Sequence, residues 1–188
     1  MGLTLIKAAT ASGSPAVISF VDGTSDVVFD NSYNEYQFHF VNIHPETNGT
    51  HFEFQVNATD DAGGDYDTSL ITSTYFRGQN HEGGGGGGLA YSSSNDLAQS
   101  ANEQRLAYET ENDADEGISG VLTIYDPSST TYVKHFTATG NYVHDSGKYC
   151  NSFHVAGYIN DTTAIDEIRF KMSSDNIDAG TIYMYGVS

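Results

Sequence analysis

Apolar and polar residues alternate at period two along much of this chain, most clearly in residues 164–187, AIDEIRFKMSSDNIDAGTIYMYGV. Ile165, Ile168, Phe170 and Met172 are separated mostly by charged or polar residues. After a polar break, Ile182 and Met184 mark one face of a second run, and Tyr183, Tyr185 and Val187 mark the other. Successive side chains of an extended strand point to opposite faces, so a segment with this period buries one face of a sheet and cannot present a helical stripe. Two such runs around a Ser-, Asp- and Asn-rich break predict a β-hairpin that closes the chain.

The same pattern recurs upstream. Residues 3–9 and 16–21 read as short strands, and 27–29 as a short apolar run. EYQFHFVNI (35–43) and HFEFQV (51–56) flank Asn48-Gly49, which accepts the positive φ of a tight turn, so they predict a second hairpin. Residues 70–77 form a Thr- and aromatic-rich strand. Residues 117–125 and 132–138 flank a turn at Asp126-Pro127 and predict a third hairpin, followed by a strand at 153–159. NDLAQSANEQRLAY (95–108) reads equally well as a helix or as extended chain. The 13 Tyr and 10 Phe suit pleated, half-buried surfaces better than helices.

The expected fold is all-β: a single jelly-roll-like β-sandwich of about ten antiparallel strands with long loops. Residues 1–15 would be an arm or first strand, and 16–188 the sandwich domain. The first and last strands are expected to pair, because each needs an edge covered.

Net charge is −18, so phosphate backbones and anionic lipid are repelled and nucleic-acid partners are not expected. No stretch approaches the roughly 20 apolar residues of a helical span, so membrane insertion is not expected either. The first residues lack the apolar run of an export signal, which predicts synthesis in the cytoplasm. A single cysteine, Cys150, rules out an intramolecular disulfide and reads as a small buried residue.

No catalytic motif stands out, and the expectation is a protein without enzymatic activity and without a cofactor. Asp60, Asp61, Asp65 and Asp67 form the best candidate calcium-ligand set, with Asp113, Asp115 and Glu116 second; neither has EF-hand spacing. Tyr183 and Tyr185 share one side of the last strand. Facing outward they make an interface or glycan-contact patch, and facing inward they cover the second face of a sandwich. Six consecutive glycines, 83–88, have no side chain to bury and read as a mobile loop or as a close-contact surface.

Three segments together resemble virion structural proteins of tailed bacteriophages, marine phages especially: SFVDGTSDVVFDNSYNEYQFHFVNIHPETNGTHFEFQVN, DPSSTTYVKHF and VAGYINDTTAIDEIRFKMSSDNIDAGTIYMYGV. The resemblance runs from about Ser19 onward and is weakest over residues 78–115, which include the glycine run. It implies a β-sandwich made in the host cytoplasm and displayed on the virion, as a tail, fibre or capsid-decoration component. The expected partners are further copies of the chain, as a homotrimer, and other virion proteins. A carbohydrate-binding module or host-adhesin lobe touching host-surface glycan is the alternative. The resemblance assigns no catalytic residues.

Overall fold

A computed structural model describes residues 2–61, 66, 69–144 and 148–188. It holds twelve strands: β1 (Leu3–Thr10), β2 (Val17–Val21), β3 (Glu35–Pro45), β4 (Thr50–Ala58), β5 (Ile71–His81), β6 (Gly88–Tyr91), β7 (Gln104–Thr110), β8 (Ile118–Tyr125), β9 (Lys134–His144), β10 (Tyr149–Ile159), β11 (Ile165–Met172) and β12 (Ile177–Val187). No helix occurs among the described residues.

All pairings are antiparallel, and together they make one sheet that nearly closes on itself. Its hydrogen bonding divides into two runs. Eight strands follow the order β1-β12-β3-β8-β9-β10-β5-β6, and four follow β7-β4-β11-β2. The runs meet through one pair, Thr110 on β7 and His144 on β9. With β5, β6, β9 and β10 set aside, the remaining strands renumbered along the chain lie 1-8-3-6 in one run and 2-7-4-5 in the other. The four omitted strands extend the first run beyond β8.

The inward faces of the two runs pack on each other through aromatic rings. Phe38 and Phe40 on β3 meet Phe170 on β11 with ring centroids 5.5 and 5.3 Å apart. Phe40 meets Phe52 on β4 at 5.2 Å, and Phe54 meets Phe136 on β9 at 5.2 Å, both edge to face. These rings are almost wholly buried, and edge-to-face pairs add about 0.5–1.5 kcal/mol each beyond the area they bury.

Two of the expected hairpins are corrected. β11 and β12 do not pair with each other: β11 lies between β4 and β2, and β12 between β1 and β3. β3 and β4 are likewise in different runs, although Gly49 takes the positive φ expected of it (74°). Both short turns carry the chain across the core. They lie side by side and are tied by Thr47 Oγ1 donating to Asp175 Oδ2 (2.9 Å) and Asn176 Nδ2 donating to Glu46 Oε2 (2.9 Å).

The β8–β9 hairpin forms as expected, and β1 pairs with β12 along its length. The count is twelve strands, not about ten, because β6 and β7 add to those expected. Residues 95–108 form turns and then the start of β7, with no helix. The glycine run makes the turn between β5 and β6, with Gly84, Gly85 and Gly86 at φ of 79°, 81° and 72°, and its last residue, Gly88, begins β6.

Candidate functional site

The alternation that builds the eight-stranded run leaves it one broad outward face. Tyr183 and Tyr185 point outward on β12, alternating with buried Ile182, Met184 and Gly186. Their rings lie 6.4 Å apart and 29° from parallel, and Tyr185 also meets the His39 ring at 4.9 Å. Register extends the patch across every strand of the run. One row of direct neighbours reads Ala8, Tyr183, His39, Val121, Thr139, His154, Phe76 and Tyr91. The next reads Leu5, Tyr185, Gln37, Thr123, Thr137, Ala156 and Thr74. Neither row contains a charged side chain, in a chain of net charge −18. Glu35 lies one row further on, where the Gln37 amide donates to its carboxylate (2.7 Å).

Most of the large apolar side chains left exposed lie on this face, among them Leu5, Val41, Phe76 and Tyr125. Phe76 and Tyr91 pack edge to face at 5.3 Å. Cys150 also faces outward here, on β10, and is exposed, which corrects its reading as a buried residue. Small apolar residues at strand ends carry too little pattern to fix which face they take.

The four-stranded run turns a different face to its surroundings. Glu53 on β4 pairs with Arg105 on β7 (3.3 Å), and Arg169 on β11 makes a close ion pair with Glu103. Arg105 also donates to Asn95 Oδ1 and to the Ser94 carbonyl, and Gln55 donates to the carbonyls of Ala101 and Asn102, so residues 94–103 fold over this face. Burial pushes the Glu53 carboxyl above the usual range, and Arg105 pulls it back. These charges are spent on one another, so this face is a structural network.

The acidic loops divide. Asp60 and Asp61 follow β4 and converge with Asp161, one carboxylate oxygen of each lying within 4.8 Å of the others. Asp65 and Asp67 lie outside the described residues. Thr163 Oγ1 donates to Asp60 Oδ1 (2.7 Å) and Asp161 Oδ1 (2.6 Å), and Ser69 Oγ donates to Asp61 Oδ2 (3.2 Å). Protein donors thus already tie this group to the turn after β10. Asp161 was missed from sequence, where it stood only within an Asn-Asp-Thr triplet a hundred residues away.

In the second loop Asp113 and Glu116 do converge, but with Glu111; Asp115 is not in the group. Beside it a depression of about 440 Å³ is lined by His44, Asn112, Asp115, Glu116 and Asp178.

Comparison of the chain with protein-family models, curated proteins and solved structures finds no match in any of the three.

Proposed function

We propose that this chain is a non-enzymatic structural protein of a tailed-bacteriophage virion: a jelly-roll-like β-sandwich, made in the host cytoplasm and displayed on the tail or capsid surface. It joins further copies of itself through the outward face of its eight-stranded run. The observation that carries this reading is the pair of charge-free rows across that face. Copies of net charge −18 repel one another, and like charges set face to face cost several kcal/mol. A surface that holds its acids off one row of eight strands and a second of seven removes that cost where copies meet.

The size of the face fits. Eight strands span roughly 34 Å and eight residues roughly 26 Å. That gives about 900 Å², against the roughly 800 Å² each partner buries in a standard interface. The jelly-roll reading is supported by the strand orders 1-8-3-6 and 2-7-4-5, a two-Greek-key arrangement found in viral capsid and lectin domains. The virion assignment is supported by the resemblance of the sequence, and the homotrimer by analogy with such appendages alone.

The test is sedimentation of the purified chain beside Leu5→Asp and Thr139→Asp, with mass spectrometry of intact particles. The expected result is an oligomer that both substitutions convert to monomer, and copies of the chain in virions. A monomeric wild-type chain with no particle-borne copy sinks the proposal.

The near-parallel Tyr183 and Tyr185 rings favour a second reading, a carbohydrate-binding module or host-adhesin lobe, because flat aromatic surfaces grip sugar rings. A glycan array probed with the wild type and a Tyr183→Ala, Tyr185→Ala double variant separates the two. Glycan signal that the double variant loses, from a chain that stays monomeric, supports the second reading.

A further inference from the structure

The loop between β7 and β8 places four carboxylates in the seven residues 111–117. One oxygen each from Glu111, Asp113 and Glu116 lies within 4.8 Å of the other two. The Glu116 side chain is only 8% exposed, and its Oε2 is buried with no hydrogen-bond partner among the described residues. A buried carboxylate oxygen left without a donor is costly, and native structures seldom retain one without a ligand, ion or water to satisfy it.

The protein holds this loop in place from several sides. Glu111 N donates to the Val143 carbonyl (3.1 Å), and Asn112 donates from its backbone to Asn48 Oδ1 (2.6 Å) and from its amide to the Glu46 carbonyl (2.8 Å). His44 Nε2 lies 3.2 Å from the Asp113 carbonyl, and Glu116 N donates to that same carbonyl (2.9 Å). The nearest cation is Lys148, whose Nζ is 3.8 Å from both Asp113 Oδ2 and Glu116 Oε1. That is beyond hydrogen-bond distance, and the side chain is 55% exposed, so the pair contributes little. Burial, and after it the charge of Glu111, pushes the Glu116 carboxyl above its ordinary range.

We propose that Glu111, Asp113 and Glu116 bind a calcium ion, with Glu116 Oε2 turned to it and Lys148 displaced. The donor set selects the metal. All three donors are carboxylate oxygens, which suit hard cations and disfavour zinc, whose sites favour His and Cys. Calcium accepts several carboxylates in irregular geometry, whereas magnesium sheds its waters reluctantly and usually takes one or two carboxylates. Three carboxylate oxygens, all within 4.8 Å of one another, therefore suit calcium better. The adjoining depression admits the waters that complete six to eight ligands.

The test uses the full chain, titrated calorimetrically with calcium chloride and melted in its presence, against magnesium chloride and sodium chloride at matched ionic strength. The expected result is a single calcium site with a melting temperature raised by several degrees, and a smaller response to magnesium. Glu116→Gln should abolish the site, and Asp161→Asn, in the other acidic group, should leave it intact. Lys148→Ala keeps the test decisive should Glu116→Gln not fold: removing a competing cation near the ion should tighten calcium binding roughly fivefold. No calcium-specific heat or melting shift overturns the proposal. So does binding unchanged in Lys148→Ala, or binding lost in Asp161→Asn and kept in Glu116→Gln.

Discussion

The ring of Phe153 on β10 lies on Gly140, its direct partner on β9, so closely that a β-carbon on the glycine would stand 2.5 Å from Cζ. The same arrangement recurs four residues along the hairpin, where Phe136 covers its own partner Gly157 at 2.8 Å. Each ring occupies the space its neighbour's missing side chain leaves, and so reaches the core without pushing the strands apart. Gly140→Ala cannot be relieved by moving the ring alone, because the new carbon would also stand 2.5 Å from the Ser119 carbonyl oxygen. The expected loss is about 1–3 kcal/mol by urea unfolding. Gly88→Ala, with open space around it, should stay within about 0.5 kcal/mol of wild type.

Alkali should unfold the protein through its buried tyrosines. Tyr36 is fully buried and donates to the Asp30 carbonyl (3.1 Å). Burial first, and the Asp30 charge second, push its hydroxyl up to about 12. Burial pushes Tyr75 up as well. A tyrosine whose pKa is higher folded than unfolded contributes stability that is complete below pH 10 and lost as pH rises towards the folded value. Between pH 9 and 11, Tyr36 should account for about 1 kcal/mol of the fall in unfolding free energy. Tyr36→Phe should show a shallower decline over that window, measured by urea titration at each pH.

Lys134 is fully buried at the start of β9, and its Nζ donates to the carbonyls of Asp161 (3.2 Å) and Thr163. Burial pulls its pKa below that of an ordinary lysine. Lys134→Met keeps the apolar stem and removes a buried charge, which alone would be favourable. It also strips two part-buried carbonyls of their donor, at a cost that reaches about 1–3 kcal/mol for each one water does not satisfy. The second effect should win, with a lowered melting temperature and faster amide exchange in the turn at 160–164.

The alternation of residues 164–187 and 35–56 was legible because period two fixes which side chains share a face. What it does not fix is the partner. Gly49 and the Ser173–Asn176 stretch reverse the chain, but the strands that follow cross to the other run, where Phe52 and Phe170 meet Phe40. Turn chemistry reports a reversal of direction and is silent on the layer the next strand joins. β6 was illegible because half its length is small residues, Gly88 and Ala90. Tyr183 and Tyr185 were readable as one side of a strand. The charge-free rows around them exist only once eight strands are in register, and the convergence of Asp60 and Asp61 with Asp161 needs a contact a hundred residues long. Glu111 was missed because it opens the loop directly after β7, in a segment with no clear period.

The outward face supplies the last prediction, an association that weakens in mild acid. His39 sits near the middle of the first charge-free row, between Tyr183 and Val121, with Nε2 2.9 Å from Gln37 Oε1. The Tyr185 ring lies beside it, and Glu35 is the nearest acid on its own strand, with its carboxylate already held by Gln37. Burial lowers the His39 pKa, so the neutral ring contributes stability that is present above pH 6.5 and lost as pH falls through the folded value. A second copy on this face buries the ring further and holds it neutral more strongly. Protonation would then place a charge in each copy's contact surface, where an unpaired charge is costly. Acid also reduces the net charge of −18, which works the other way, so the informative quantity is the difference from His39→Gln. Between pH 7 and 5 in physiological salt, the wild-type dissociation constant should rise at least tenfold more than that of His39→Gln, measured by sedimentation equilibrium. Parallel curves for the two chains would show that His39 does not lie in the contact.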